Sequence, residues 1–372
     1  MSQVHLRASL ALIGDDLRAV RDVCVTVDDD GVVESVEGWG SCPWDSAGGT
    51  WAALLPQPAN AHVHSADGRF PEFGVDLGLH ELVAPPDGLK YRLLSTLSPT
   101  ETALDIWRTY RAAYELGVGL LVDFREGGGL GCLAAQRARS MVPDMDVLVL
   151  GTPGPSFPGW CQGLGLSSPL DYSEGVLRAL TSQLRPSFTH VAEDPENRRE
   201  GDLEVALRAG FTAIVHGTHL SRDDLQAIAE RGVALVMCPR SNMWHGLRPP
   251  PVADAISLGV TLGLGSDNAA WNLPDPWGEA EEAMLIARSQ GLRGAPAAVL
   301  EALMVGGYRA AGLEPRTVEE GRKLHAVLVD AYSTGILSAA DTASAIIRRA
   351  RAGLALRADG SRLAYLSKAG IY

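Results

Sequence analysis

Short apolar runs alternate with longer amphipathic stretches through the middle of the chain. Between residues 56 and 320, each short run is followed by a segment with helical spacing, which predicts βαβ units and a parallel sheet. Eight such units close a (β/α)8 barrel. The predicted strands span 59–64, 118–124, 146–151, 187–190, 213–216, 233–238 and 260–265, and a glycine-rich fourth strand spans 163–167.

The two ends of the chain follow a different pattern. Two β-rich runs, 23–27 and 32–36, flank an Asp-Gly turn and predict a hairpin. Strand-like segments return at 326–330 and 357–365. The fold class that we expect is therefore α/β, with a TIM-like barrel and a small β domain formed by both chain termini. The predicted boundaries are 56–320 for the barrel and 1–55 with 321–372 for a β-sandwich-like domain.

Composition and charge narrow the classes of function. Of the 372 residues, 46% are apolar and 21% are charged, which is typical of a globular protein. The net charge of −13 disfavours nucleic acid, whose binders cluster lysine and arginine. No apolar run approaches the roughly 18 residues that span a bilayer. The N-terminus also lacks the basic start of a signal peptide, so we expect a cytoplasmic protein without membrane association.

The numbers and positions of the cysteines and lysines lead to two further expectations. The five cysteines are odd in number and form no CxxC pair, which favours reduced thiols over a disulfide framework. They are Cys24, Cys42, Cys132, Cys161 and Cys238. The three lysines are Lys90, Lys323 and Lys368, so none lies between residues 91 and 322.

Histidines and one aspartate mark the ends of several predicted strands. His62 and His64 lie two residues apart in the first strand, where side chains at this spacing share a face. His190, His216 and Asp267 end three later strands. Because a barrel gathers the carboxyl ends of its strands at one face, these side chains should meet there. Three imidazoles and one carboxylate form a zinc shell with a position left for water.

These motifs, taken in this order, resemble the amidohydrolase superfamily over most of residues 50–330. The resemblance is to the metal-dependent deaminase branch, which contains cytosine, guanine and S-adenosylhomocysteine deaminases and related chlorohydrolases. It implies that His62, His64, His190 and Asp267 bind the metal. It also implies that Glu193, in a His-x-x-Glu motif, moves protons and that His216 polarises the attacked group or orients the water. The segment from Cys238 to Asn242 resembles the Pro-x-Ser-Asn segment of these deaminases.

The resemblance also bears on the number of metal ions. Binuclear members commonly bridge two metals with a carboxylated lysine on strand 4, and we expect no lysine in this barrel. A cysteine or glutamate bridge, from Cys161 or Glu174, is the alternative. We therefore expect one divalent ion per chain, zinc or else iron.

The implied reaction is deamination of an aminated heterocycle: a purine, pyrimidine, pterin or triazine-like ring. A metal-bound hydroxide would attack the ring carbon and release ammonia. Asp267 would accept the water proton, Glu193 would protonate the ring, and His216 would donate a hydrogen bond to the developing charge. The alternatives are a cyclic amide hydrolase of imidazolone or lactam type, a chlorohydrolase, and a non-catalytic scaffold.

Other polar residues have two interpretations each. Arg125 is predicted to bind substrate, or else to pair with Glu126. His245, beside Trp244, is predicted to bind a flat substrate, whereas simple packing is the competing interpretation. Glu193 would otherwise cap the following helix. His5, His80 and His325 are interpreted as structural. The expected partners are a small-molecule substrate and a second copy of the chain in a homodimer.

Overall fold

This computed structural model describes residues 3–142 and 144–366, and its strands form two sheets. The four strands that open the chain are β1 (Val4–Ile13), β2 (Arg18–Val27), β3 (Val33–Gly38) and β4 (Ala47–Pro56). The next nine are β5 (Ala59–His64), β6 (Leu120–Arg125), β7 (Asp146–Gly151), β8 (Gly163–Leu166), β9 (Ser187–Val191), β10 (Ala213–His216), β11 (Ala234–Met237), β12 (Leu262–Leu264) and β13 (Asp267–Asn268). The last three are β14 (His325–Asp330), β15 (Leu354–Asp359) and β16 (Arg362–Tyr365).

Helices fill most of the connections between the strands. They are α1 (Leu79–Val83), α2 (Leu89–Leu94), α3 (Pro99–Glu115), α4 (Gly128–Arg139), α5 (Glu174–Gln183), α6 (Pro195–Arg199), α7 (Asp202–Ala209), α8 (Arg222–Arg231), α9 (Pro239–Trp244), α10 (Val252–Ser257), α11 (Pro276–Ser289), α12 (Pro296–Glu301), α13 (Gly307–Ala310) and α14 (Thr342–Arg349). Within the described residues, none of these helices has the length and apolar character needed to cross a bilayer.

The nine central strands close into a barrel. Their order is β12-β11-β10-β9-β8-β7-β6-β5-β13, and every neighbouring pair is parallel. β12 and β13 follow each other in the chain but pair with opposite edges of the sheet, so together they form a broken eighth strand. At the break, Gly265 donates to the carbonyl of Met237, and Ser266 bonds the Asn60 side chain. A Cβ on Gly265 would lie 2.6 Å from that of His62, so the contact requires glycine.

The glycine-rich fourth strand predicted at 163–167 forms as β8. Its two glycines are explained by close packing inside the barrel. A Cβ on Gly163 would meet Leu150 at 2.6 Å, and one on Gly165 would meet Phe124 at 2.9 Å. Glycine lowers the strand preference of this segment, but a larger side chain would not fit at either position without movement of its neighbours.

Both ends of the chain contribute to the second sheet, whose order is β16-β15-β14-β4-β1-β2-β3. The predicted hairpin forms as β2 and β3. This sheet curves back on itself, so that the start of β3 lies beside the segment before β14. The N–H of Val33 donates to the carbonyl of Arg322, and the N–H of Leu324 donates to the carbonyl of Gly31. Arg357 of β15 donates to the carbonyl of Val118, two residues before β6 begins. The sheet therefore packs at the amino ends of the barrel strands and leaves their carboxyl ends free.

Four cysteines are paired, so the expectation of reduced thiols is wrong for them. The pairs are Cys24–Cys42 and Cys132–Cys161, with S–S distances of 2.09 and 2.10 Å. Their sequence separations of 18 and 29 residues give no local signal, whereas the fold brings the Cα atoms to 5.4 and 5.1 Å. Cys161 is thereby unavailable as a metal bridge, and Cys238 stays a free, buried thiol.

Candidate metal centre

Four predicted ligands meet at the carboxyl ends of the barrel strands. His62 and His64 end β5, His190 lies in β9, and Asp267 begins β13. Nε2 of His62 lies 3.2 Å from Oδ1 of Asp267, and Nε2 of His64 lies 3.6 Å from the same oxygen. The Nε2 atoms of His64 and His190 are 3.4 Å apart.

The protonation states of this cluster suit a cation. Burial lowers the pKa of His62 to about 3, although its hydrogen bond to Asp267 opposes that shift. Burial and the neighbouring imidazoles hold the pKa of His190 well below its usual value. The pKa of Asp267 also lies well below its usual value, because His62 and the nearby imidazoles outweigh the effect of burial. Neutral imidazoles and an ionised carboxylate are the forms that bind a divalent metal, so the donor set fits one such ion.

Three residues at these strand ends have left-handed backbones. The φ angles are 50° for Ala192, 72° for His216 and 59° for Asp267. Non-glycine residues adopt this region rarely and at some energetic cost, and such positions cluster at functional sites. At this turn the N–H of Ala192 donates to the Asp202 carboxylate, and His190 before it and Glu193 after it both line the same cavity.

Glu193 lies beside the cluster and lines a cavity above it. Its Oε1 is 3.6 Å from Nε2 of His216. Burial, followed by the charges of Asp267 and Asp194, raises the pKa of Glu193 to about 8. A carboxyl group with this pKa keeps its proton at neutral pH and can donate it.

The residue that caps the following helix is Asp194 and not Glu193. Oδ1 of Asp194 accepts hydrogen bonds from the N–H groups of Glu196 and Asn197, at 2.8 and 2.9 Å, at the start of α6. Glu193 is therefore free to face the cavity.

The segment after β11 orients two residues of the centre. In α9, Nδ2 of Asn242 donates to Nδ1 of His216 at 3.1 Å, which leaves the His216 proton on Nε2. Burial lowers the pKa of His216 to about 4, so this imidazole is a neutral donor. Oγ of Ser241 donates to Oδ2 of Asp267 at 2.5 Å. The resemblance of residues 238–242 to a Pro-x-Ser-Asn segment thus falls on residues that contact the centre.

Lys90 corrects the expectation that the barrel contains no lysine. It lies in α2, between β5 and β6, and is only 3% exposed. Its Nζ is 2.6 Å from Oε1 of Glu126 and 3.1 Å from both Oδ2 of Asp67 and Nδ1 of His64. Because Nδ1 is on the edge of the His64 ring opposite Nε2, Lys90 lies behind this ligand and is not placed to bridge two metals.

Arg125 does not reach the cavity. Its guanidinium donates to Oε2 of Glu126 at 2.8 Å and to the carbonyl of Phe124, and it lies 3.2 Å from Asp123. The side chain is buried and is not among the described residues that line the cavity. The contacts therefore correct the substrate-binding prediction for Arg125 and favour the ion pair with Glu126.

A cavity of about 260 Å³ opens above the cluster. Its apolar and aromatic wall contains Leu79, Val83, Pro85, Leu170, Tyr91 and Trp271, and its polar wall contains His80, Asp171, Asp194, Glu200 and His245. His245 thus lies where a substrate would, whereas Trp244 stacks on Trp271 at 4.6 Å and backs that wall. His80, interpreted above as structural, also lines the cavity.

Comparisons with known proteins fit this geometry. The sequence profile of the amidohydrolase family matches residues 181–353. A protein of Methanothermobacter thermautotrophicus, provisionally named an aminohydrolase, is 28% identical over 339 residues, covering 82% of this chain and 86% of that protein. A 5-methylthioadenosine/S-adenosylhomocysteine deaminase of Moorella thermoacetica is 31% identical over 212 residues, covering 53% of this chain and 49% of that protein.

A solved structure shares the whole fold. An adenosine deaminase from Xanthomonas campestris with bound zinc aligns with a TM-score of 0.78, covering 97% of this chain and 92% of that one. At 18% identity this likeness shows the fold alone. The family match and the two sequence relatives confirm the resemblance drawn from the strand-end motifs.

Proposed function

We propose that this enzyme, which belongs to the amidohydrolase superfamily and hydrolyses carbon–nitrogen bonds, removes an amino group from a heterocycle as ammonia. The observation that carries the proposal is the position of Glu193. This carboxyl group lines the cavity, has a pKa raised by burial and by the charges of Asp267 and Asp194, and leaves the capping of α6 to Asp194. Cleavage of an amino group from a ring needs such an acid beside the nucleophile.

The four-ligand cluster is proposed to hold one zinc ion through His62, His64, His190 and Asp267. When bound, the metal supplies a water molecule of lowered pKa. Asp267 would accept a proton from that water, while Ser241 donates a hydrogen bond to Oδ2 of the same carboxylate. Glu193 would donate its proton to the ring nitrogen and then pass the proton of the newly added hydroxyl group to the leaving amine, which leaves as ammonia. The proton held by Asp267 would then return Glu193 to its protonated state.

His216 completes the set as a neutral hydrogen-bond donor. Because Asn242 occupies Nδ1, the Nε2–H of His216 points toward Glu193 and the cavity. A fixed donor aimed at developing charge is worth about 3 kcal/mol in other enzymes. This role needs no change in the protonation of His216.

The charge of the cavity favours a substrate without phosphate groups. Among its described lining residues, the Lys90 ammonium is held by Glu126 and Asp67, and the His80 ring lies 3.6 Å from Asp194. Asp171 and Glu200 add further carboxylates to the wall. A neutral ring, packed on aromatic side chains, meets no such repulsion.

Ammonia release from a substrate panel tests the proposal. Purified zinc-loaded enzyme is offered aminated purines, pyrimidines, pterins and triazines, together with their chloro analogues and cyclic amides of similar size. We expect ammonia from at least one aminated ring, at a rate that exceeds chloride release or ring opening of the matched compounds. Faster chloride release or ring opening across the panel would assign the enzyme to a different bond.

A further inference from the structure

A compact polar cluster lies behind His64, outside the groups used in the reaction. It contains Asp67 and Lys90, from the connection between β5 and β6, and Arg125 and Glu126, from the end of β6 and the residue after it. Glu126 is 14% exposed and Lys90 3%, so solvent screens their charges only weakly. The cluster faces the edge of the His64 ring that points away from the other three metal ligands.

His64 has a carboxylate partner at the nitrogen that the metal does not use. Its Nδ1 is 2.9 Å from Oε1 of Glu126, while its Nε2 faces His190 and Asp267. With a metal on Nε2, the ring proton lies on Nδ1 and needs an acceptor. Glu126 supplies that acceptor, since the neighbouring Lys90 ammonium has only donors.

Glu126 itself is held at both oxygens. Oε1 accepts from Nζ of Lys90 at 2.6 Å, and Oε2 accepts from the Arg125 guanidinium at 2.8 Å. Lys90 is held in turn by Asp67 at 3.1 Å. Oδ2 of Asp67 accepts from Nδ2 of Asn268 at 2.5 Å, and Asn268 is the neighbour of the ligand Asp267. The chain of contacts therefore runs from one metal ligand to another.

The other two histidine ligands have different surroundings. Nδ1 of His190 contacts the main-chain carbonyl of Leu166 at 2.8 Å. Nδ1 of His62 has no hydrogen-bond partner among the described residues. The carboxylate contact of His64 is thus a distinct support, and its loss leaves this ring without its acceptor.

We propose that Glu126 is a positioning residue of the metal centre. Its carboxylate accepts the Nδ1–H of His64 and fixes the ring so that Nε2 faces the metal, and Lys90 with Arg125 fixes the carboxylate. The proposal rests on the metal site of the proposed function but not on any substrate. A carboxylate behind a metal-binding histidine is known to raise metal affinity through orientation and basicity.

Zinc affinity tests this proposal without a substrate. Metal-free wild type, Glu126→Gln and Glu126→Ala are titrated with zinc against a chromophoric chelator. We expect Glu126→Ala to bind zinc about 10–100-fold more weakly. Glu126→Gln keeps an acceptor of the same size but loses the charge, so it should fall between the alanine variant and wild type. Thermal melts of the metal-free proteins establish that each variant is folded.

The matched control is Glu301→Gln, which removes a half-exposed carboxylate paired with Arg309 at 2.7 Å, away from the metal cluster. Its zinc affinity should equal that of wild type. If Glu126→Ala does not fold, Glu126→Gln decides: tenfold weaker binding supports the proposal. Wild-type affinity in a folded Glu126 variant overturns it. Failure of the wild type to bind zinc would instead remove the metal site of the proposed function.

Discussion

The two sides of the metal centre are supported in different ways. Behind His64, Glu126 is in contact with two cations. Burial alone would raise its pKa, but Lys90 and Arg125 hold it well below its usual value. Behind α9, Glu279 accepts the N–H of Arg240 at 3.0 Å, and the nearest guanidinium nitrogen lies 3.6 Å away. There burial prevails and raises the pKa of Glu279 to about 8.

The contrast between Glu126 and Glu279 indicates that the two sides of the centre support its residues by different means. The side of His64 is ionised and charge-paired, which suits a ligand that must keep one orientation. The side of α9 is hydrogen-bonded, and it supports His216 and Asp267 through Asn242 and Ser241. We infer that the side of His64 fixes one metal ligand, whereas the side of α9 supports both the ligand Asp267 and the neutral donor His216.

The largest effect on turnover is expected for Glu193→Gln, which removes a transferable proton from the cavity above the metal cluster. Because the amide keeps the size and hydrogen bonding of the side chain, metal and fold should be retained. Turnover should fall by about 10²–10⁴-fold, the range for a general acid–base. Rates and bound zinc are measured once an ammonia-releasing substrate is known. Glu196→Gln, an exposed carboxylate in α6, is the control, and unchanged turnover in Glu193→Gln would leave Glu193 without a role in proton transfer.

The smallest effect on turnover is expected for Glu279→Gln, which instead changes how stability depends on pH. The folded-state pKa of about 8 exceeds the ordinary value of 4.5. Between these values the unfolded chain loses a proton that the folded chain keeps, so this group makes the free energy of unfolding fall as pH rises. The variant should therefore gain stability relative to wild type from pH 5 to pH 8.

Urea unfolding of the metal-free proteins at several pH values measures the difference in free energy of unfolding between Glu279→Gln and wild type. Glu193 is present in both proteins, so its contribution cancels. Glu281→Gln is the control, because Glu281 lies on the same helix but pairs with Arg348 at the surface. Parallel pH profiles for wild type and Glu279→Gln would contradict the assignment of a raised pKa.

The strand-end residues were predictable from the sequence because the barrel repeats one geometry. Each short apolar run ends at the same face, so His62, His64, His190 and Asp267 were expected together. Ser241 and Asn242 lie in the segment that was singled out only by its resemblance to a Pro-x-Ser-Asn segment. Their roles in the reaction remain proposals, as do the homodimer and the cytoplasmic location.

The support behind His64 was not predictable in the same way. Lys90 lies in a short helix of the long β5–β6 connection, where no periodic pattern fixes its position. Glu126 follows a strand end and was considered only as a partner of Arg125, although its place in the pattern marks it as a residue of the active face. The disulfides were missed for a similar reason, since tertiary contact and not spacing pairs Cys132 with Cys161.

Anomalous diffraction at the zinc edge, on crystals of the zinc-loaded enzyme, tests the central claim most directly. The account predicts one peak per chain, with His62, His64, His190 and Asp267 as its protein ligands. The same data show whether Glu126 and Lys90 remain behind His64. Two peaks per chain, no peak, or a peak ligated by Glu126 or Asp67 would contradict the account.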